Sequence, residues 1–101
     1  MLTKDKILAM TPQELAEATA VRVMGWGAVK SNWNPAFDML DAMSIAERVQ
    51  RKTLHFHLEK DATMMWVSSF YAGSHYARAS TATKAISRAA LLALGDGVNG
   101  N

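Results

Sequence analysis

The 101-residue chain contains no cysteine, which excludes disulfides, thiolate zinc sites and cysteine nucleophiles together. It also has no long apolar run near its start, where only residues 7–10 are apolar in succession. We therefore expect neither a signal peptide nor a membrane span. A charge excess is lacking too, because basic and acidic residues alternate and the net charge is only +2. This balance argues against nucleic acid as a partner.

Catalytic motifs are equally absent from the sequence. No serine lies in a Gly-x-Ser-x-Gly turn, and no Walker loop or dinucleotide fingerprint is present. One arrangement has the character of a metal site: His55 and His57 fall on one face of a predicted strand, with Glu59 on the same face. A half-solvated polar strand face explains these histidines equally well. We expect no bound metal, no cofactor and no enzymatic activity.

The chain does contain clear helix and strand signals. The segment Thr11-Pro12-Gln13-Glu14 is a capping box with proline at the first helical position, and Gly25 ends the helix that follows. Residues 4–9 form a short extra turn before it. Six main elements are predicted in this order: helices over 12–24 and 38–52, strands over 53–59, 64–71 and 76–80, and a final helix over 82–94.

These elements predict an α+β fold with the order ααβββα. Short turns join the three strands, so the sheet is an antiparallel meander, and helices must cover it as an α/β/α sandwich. The strand over 64–71 is apolar on both faces and belongs in the middle. The alanine-rich last helix, which Gly95 terminates, can lie very close to the sheet. We expect one domain over 1–95 and a flexible tail over 96–101.

Three groups of residues resemble a known family. The groups are Met24-Gly25-Trp26, then Trp33-Asn34-Pro35 with Asp38, Asp41-Ala42-Met43 and Val49, and finally Tyr76-Ala77-Arg78-Ala79-Ser80-Thr81-Ala82 leading to Ala85-Ile86-Ser87-Arg88-Ala89-Ala90-Leu91. Together they resemble the small phage-encoded alpha-beta-alpha sandwich domain over nearly the whole chain. The resemblance implies a bacteriophage or prophage origin, with the host cytoplasm as the workplace, and it supplies no catalytic residues.

Aromatic and cationic side chains indicate a binding module. A cation near the start of the last helix opposes the helix dipole, which makes an anion a natural partner there. Plain solvation of Lys84, and burial of the loop tryptophans as core plugs, are the alternative interpretations. The candidate ligand-binding residues are Trp26, Trp33, His55, His57, Tyr76, Arg78, Lys84 and Arg88.

We therefore expect a non-enzymatic phage accessory protein that binds a small anionic or nucleotide-like ligand. One concrete form is an anti-defence sponge that sequesters a nucleotide-derived immune signal. The alternative is an adaptor or inhibitor that binds a host or phage protein through a sheet edge or a methionine-rich patch, with Met10 and Met65 as the exposed candidates. Since a small sheet leaves its edges unpaired, we also expect a homo-oligomer.

Overall fold

A computed structural model describes residues 3–29, 31–50, 56–70 and 75–94. The predicted strand start over 53–55, Tyr71, Gly95 and the tail over 96–101 lie outside the described residues, as does His55. Within the described part the elements are α1 (Lys4–Leu8), α2 (Pro12–Arg22), α3 (Met39–Gln50), β1 (Phe56–Lys60), β2 (Trp66–Phe70), β3 (His75–Ala79) and α4 (Ala82–Leu94).

The start of α2 confirms the predicted capping box. The Glu14 backbone N–H donates to Thr11 Oγ1 at 3.2 Å, and the Thr11 N–H donates to Glu14 Oε1 at 2.9 Å. The helix ends at Arg22, two residues before its predicted end. Gly25 has φ +75°, a conformation that glycine adopts without a steric penalty. This turn lets the Trp26 N–H donate to the carbonyl of Ala20 at 2.9 Å.

Helix α3 begins where the sequence predicts. Asp38 Oδ1 accepts hydrogen bonds from the backbone N–H groups of Leu40 (2.8 Å) and Asp41 (3.3 Å), which is the geometry of a helix cap. The buried residues of α3 follow helical spacing and define a single core-facing side. They are Ala42, Ile45, Ala46 and Val49.

The three strands form one antiparallel sheet in the order β1-β2-β3. The predicted meander, its middle strand and the α+β sandwich class are confirmed. The inner face is buried, and Ser68 of β2 is in register with Ala77 of β3 there. The outer face of the sheet exposes polar and aromatic side chains at alternate positions, as period-two patterning predicts. They are His57, Glu59, Tyr76 and Arg78.

Helix α4 lies against β2 and β3 and also contacts α1, α2 and α3. It is therefore the central element of the core, between the sheet and the other helices. Its residues toward these neighbours are small, and a β-carbon is all that the alanines place between the backbones. The fully buried alanines of α4 are Ala85, Ala89 and Ala90, with Ala93 almost fully buried. The predicted bounds of this helix are confirmed.

The turn between β1 and β2 differs from the prediction. Lys60, predicted in the turn, belongs to β1, whereas Met64 and Met65, predicted in a strand, belong to the turn. Asp61 Oδ1 accepts from the N–H groups of Thr63 (2.9 Å) and Met65 (3.1 Å), so the side chain of Asp61 replaces a strand partner for both. Met64 has φ 66°, which is incompatible with a strand.

The third strand starts one residue earlier than predicted and ends at Ala79. The exposed methionines also differ from the prediction. Met10 and Met65 are partly buried, and Met10 packs against the core. The exposed methionines of the described residues are Met39, Met43 and Met64.

Candidate ligand-binding site

The structure brings the two loop tryptophans together. Their ring centroids are 4.8 Å apart at an interplanar angle of 73°, an edge-to-face pair. Trp33 Nε1 donates to Thr19 Oγ1 at 3.1 Å, and the Thr19 hydroxyl donates to the carbonyl of Leu15 at 2.7 Å. Only 9% of Trp33 is exposed. Helix α2 therefore fixes the Trp33 indole within the core, and Trp26 packs against it.

One cleft lies between the start of α2 and the loop before α3. Its volume of about 470 Å³ is within the range of roughly 300–1,000 Å³ that small-molecule sites occupy. Its lining residues are Pro12, Gln13, Ala16, Glu17, Val29, Ser31, Trp33, Asn34 and Phe37. The only ionisable side chain among them is the carboxylate of Glu17. This cleft has the size for a small ligand but the wrong charge for an anion.

A smaller cavity on the β3 side combines an aromatic ring with two cations. The ammonium of Lys4 lies 5.3 Å from the centroid of the Tyr76 ring. The cavity of about 200 Å³ is lined by Lys4, Leu8, Tyr76, Ala77 and Arg78. Strand alternation places Tyr76 and Arg78 on the same face, and Thr3 fixes the start of α1 by accepting a hydrogen bond from the Lys6 N–H. We name this cavity the Tyr76 pocket.

Arg78 is held in place by the turn between β1 and β2. Its Nε donates to Asp61 Oδ2 at 2.9 Å, and its Nη2 donates to Thr63 Oγ1 at 2.7 Å and lies 2.8 Å from Asp61 Oδ2. The Thr63 hydroxyl, the backbone N–H groups of Met65 and Thr63, and the Arg78 guanidinium together lower the pKa of Asp61 from 3.8 to about 2, against a raising effect of burial. One edge of the guanidinium is thus occupied, which orients Arg78 in the Tyr76 pocket.

His57 lies on the outer face of the sheet with an acidic partner. Its Nε2 is 2.7 Å from Glu59 Oε1, and both side chains are exposed. Glu59 and Arg78 are each in register with Val67 on that face, so Val67 separates them. No group of three or more His, Asp or Glu side chains suited to a metal ion occurs in the described part of the chain.

The two predicted cations of α4 lie apart from the Tyr76 pocket lining. Arg88 Nη1 donates to the carbonyl of Arg78 at 3.1 Å, so its side chain bridges α4 and β3. The ammonium of Lys84 lies 6.0 Å from the centroid of the Phe37 ring. The structure therefore distributes the candidate residues over three regions: the tryptophan pair, the outer sheet face and the exposed side of α4.

Two contributors to the Tyr76 pocket were missed by sequence reasoning. Lys4 and Leu8 belong to a short helix far from β3 in the sequence, and no local pattern links them to Tyr76. Asp61 was also missed as the residue that orients Arg78. The polar, turn-forming composition of residues 60–63 was the only available signal, and it predicted a turn without its partner.

The described fold and its surface cavities define a small α+β sandwich equipped to bind. The model of the Phage ABA sandwich domain family matches residues 5–91. The chain belongs to this family, which confirms the predicted resemblance and supports a phage origin. No curated protein and no solved structure gave a match in the corresponding comparisons. None of the helices described is both long enough and apolar enough to cross a membrane.

Proposed function

We propose that this chain is a phage accessory protein that binds a small, anionic, ring-containing ligand without transforming it. The observation that supports the proposal is the Tyr76 pocket, where the Lys4 ammonium lies 5.3 Å from the Tyr76 ring and Arg78 lines the same cavity. A ligand ring can stack on Tyr76 while a phosphate or carboxylate meets the two cations. The pocket lining contains no carboxylate to repel an anion.

The size of the pocket limits how the ligand is held. At about 200 Å³ it is smaller than the roughly 300–1,000 Å³ of a typical small-molecule site. We therefore expect one ring or one phosphate inside, with the rest of the ligand on the exposed outer face of the sheet. An exposed cation–π contact contributes about 0.5–1 kcal/mol, so losing one contact weakens binding about two- to fivefold.

The concrete form of this function is an anti-defence sponge. In the host cytoplasm the protein sequesters a nucleotide-derived immune signal and so keeps it from its receptor. A nucleotide carries both the ring and the phosphate charge that the Tyr76 pocket complements. The phage family to which the chain belongs is consistent with a role against the host.

A capture experiment tests the sponge. The protein is purified from cells that produce such signals and then denatured, and released nucleotides are identified by mass spectrometry. We expect a stoichiometric nucleotide from the wild type, little from Tyr76→Ala and less than wild type from Lys4→Ala. Lys60→Ala is the matched control, because Lys60 lies over another ring, 5.4 Å from the centroid of Trp66. A blank from the wild type contradicts the sponge, and an equal loss in Lys60→Ala contradicts the assignment to this pocket.

An adaptor that binds a host or phage protein is the second candidate. The observation that favours it is the exposure of Met39 and Met43, since flexible thioether side chains adapt to varied partners. A pull-down from host lysate separates the two functions. A stoichiometric protein partner without a bound small molecule would favour the adaptor, whereas a released nucleotide without a protein partner would favour the sponge.

A further inference from the structure

The solvent-facing side of α3 and the turn before it carry a contiguous group of large apolar side chains. We name Phe37, Met39, Leu40 and Met43 the α3 stripe. All four are exposed, Leu40 by 79% and Phe37 by 65%. Phe37, Leu40 and Met43 recur every three residues, so they lie along one side of the helix, opposite its buried side.

This exposure is a feature that solvent alone does not explain. Single exposed apolar side chains are ordinary on protein surfaces, but contiguous groups of them mark interaction sites. The α3 stripe joins the turn residue Phe37 to the first two turns of α3 without an intervening charge on that side. We therefore looked for what its surroundings complement.

Opposite charges lie at the two ends of the α3 stripe. At the Phe37 end, the ammonium of Lys84 lies 6.0 Å from the centroid of the Phe37 ring. Among the described residues Lys84 has no carboxylate partner. At the other end Glu47 is exposed one helical turn after Met43 and on the same side of α3. A surface with a cation at one end and an anion at the other complements itself when one copy is reversed.

We propose that the α3 stripe binds the α3 stripe of a second copy of this chain, with the two helices antiparallel about a two-fold axis at Leu40. Leu40 is the middle residue of the stripe and the most exposed of its members, so it packs against Leu40 of the second copy. Phe37 then lies opposite Met43 of the second copy. Lys84, beside Phe37, faces Glu47 of the second copy, and symmetry repeats this ion pair.

The proposed contact is small. The distance along the helix direction from Phe37 to Glu47 corresponds to ten residues, or about 15 Å. An interface of this length lies at the low end of the size range for specific complexes, so the dimer should dissociate on dilution. The dimer goes beyond the proposed ligand binding, because neither Lys4 nor Tyr76 belongs to the α3 stripe. It also borders the cleft of about 470 Å³, since Phe37 lines that cleft.

Sedimentation velocity over a wide concentration range tests the dimer. We expect the wild type to shift from monomer to dimer as its concentration rises. Leu40→Glu places two carboxylates against each other at the axis and should raise the dissociation constant about a hundredfold or more. Val21→Glu is the matched control, because Val21 is a 51% exposed apolar residue on α2 and outside the α3 stripe. A monomeric wild type, or a dimer that survives Leu40→Glu, overturns the proposal.

A mixing experiment tests the antiparallel arrangement. Lys84→Glu and Glu47→Lys each create two like-charge contacts in their own dimers, and each should weaken dimerisation about tenfold at low salt. In a mixed dimer of the two variants, both contacts become attractive again. We expect the mixture to dimerise more strongly than either variant alone, with thermal melts confirming that both are folded. A mixture that dimerises no better than the separate variants overturns the arrangement.

Discussion

At the scale of single residues, two fully buried serines have opposite surroundings. The Ser87 hydroxyl donates to the carbonyls of Thr83 (2.9 Å) and Pro35 (3.3 Å), which ties α4 to the loop before α3. The Ser68 hydroxyl, on the inner face of β2, has no hydrogen-bond partner in the described structure. A buried hydroxyl without a partner costs stability, whereas one with a partner contributes to it.

We therefore predict that the two serine-to-alanine variants change stability in opposite directions. Ser87→Ala should lower the free energy of unfolding by about 1 kcal/mol, and Ser68→Ala should raise it by about as much. Urea unfolding monitored by tryptophan fluorescence measures both. A Ser68→Ala variant that is less stable than the wild type would contradict the orphaned hydroxyl.

Asp61 predicts a dependence of stability on pH. Its pKa of about 2 in the folded protein lies below the ordinary value of 3.8, because Thr63, Met65 and Arg78 favour the carboxylate. A lowered carboxyl pKa stabilises the fold at pH values above 3.8, and this stabilisation is lost as the pH falls toward 2. Asp61→Asn should thus melt at a lower temperature than the wild type at pH 7.

The control for this prediction is the same comparison in acid. Near pH 2 the two proteins should melt at closely similar temperatures, because the carboxyl group is then largely protonated in the wild type. A difference in melting temperature that is equally large at both pH values would show that Asp61 acts through its hydrogen-bonding shape and not through its charge.

Sequence reasoning at this scale succeeds for alternation and fails for distant partners. Period-two patterning was enough to place Tyr76 and Arg78 on the exposed face of β3. It could not reveal that Asp61 holds Arg78, because that ion pair joins a turn to a non-adjacent strand. The positive φ of Met64 was also hidden, since methionine rarely adopts that conformation and the sequence favours a strand.

At the scale of elements, α4 is where the sequence was most informative. Its alanines, its separation from β3 by only two residues and its apolar periodicity predicted both of its ends. The ends of β1 and β2 were less predictable, because side-chain hydrogen bonds from Asp61 decided them. Helix signals are local to the chain, whereas a strand ends where its partner stops pairing.

The close packing of α4 predicts a low tolerance for larger side chains. Ala89 is fully buried, and Ala89→Leu should lower the free energy of unfolding by about 1–3 kcal/mol through overpacking. For a domain of this size, each kcal/mol corresponds to about 4–8 °C in melting temperature. Ala28→Leu, at an exposed loop position, is the control and should melt near the wild type. An Ala89→Leu variant as stable as the control would contradict tight packing between α4 and the sheet.

At the scale of the whole molecule, the fold was predictable and the site was not. The order of elements and the three-residue motifs led to the phage sandwich family, which the match over residues 5–91 confirms. The Tyr76 pocket, however, needs Lys4 of α1 beside Tyr76 of β3, and only the assembled core sets that neighbourhood. The absence of enzymatic activity and the homo-oligomer stay predictions.

The most direct test of the account is to locate ligand binding on the folded protein. Nuclear magnetic resonance of the amide groups is recorded while ADP-ribose or a cyclic dinucleotide is added. We expect saturable shifts at Leu8, Tyr76, Ala77 and Arg78, and no shift along the α3 stripe. If neither compound moves these amides, or if the shifts are confined to the cleft around Trp33, the claim that the Tyr76 pocket holds a nucleotide-like anion is contradicted.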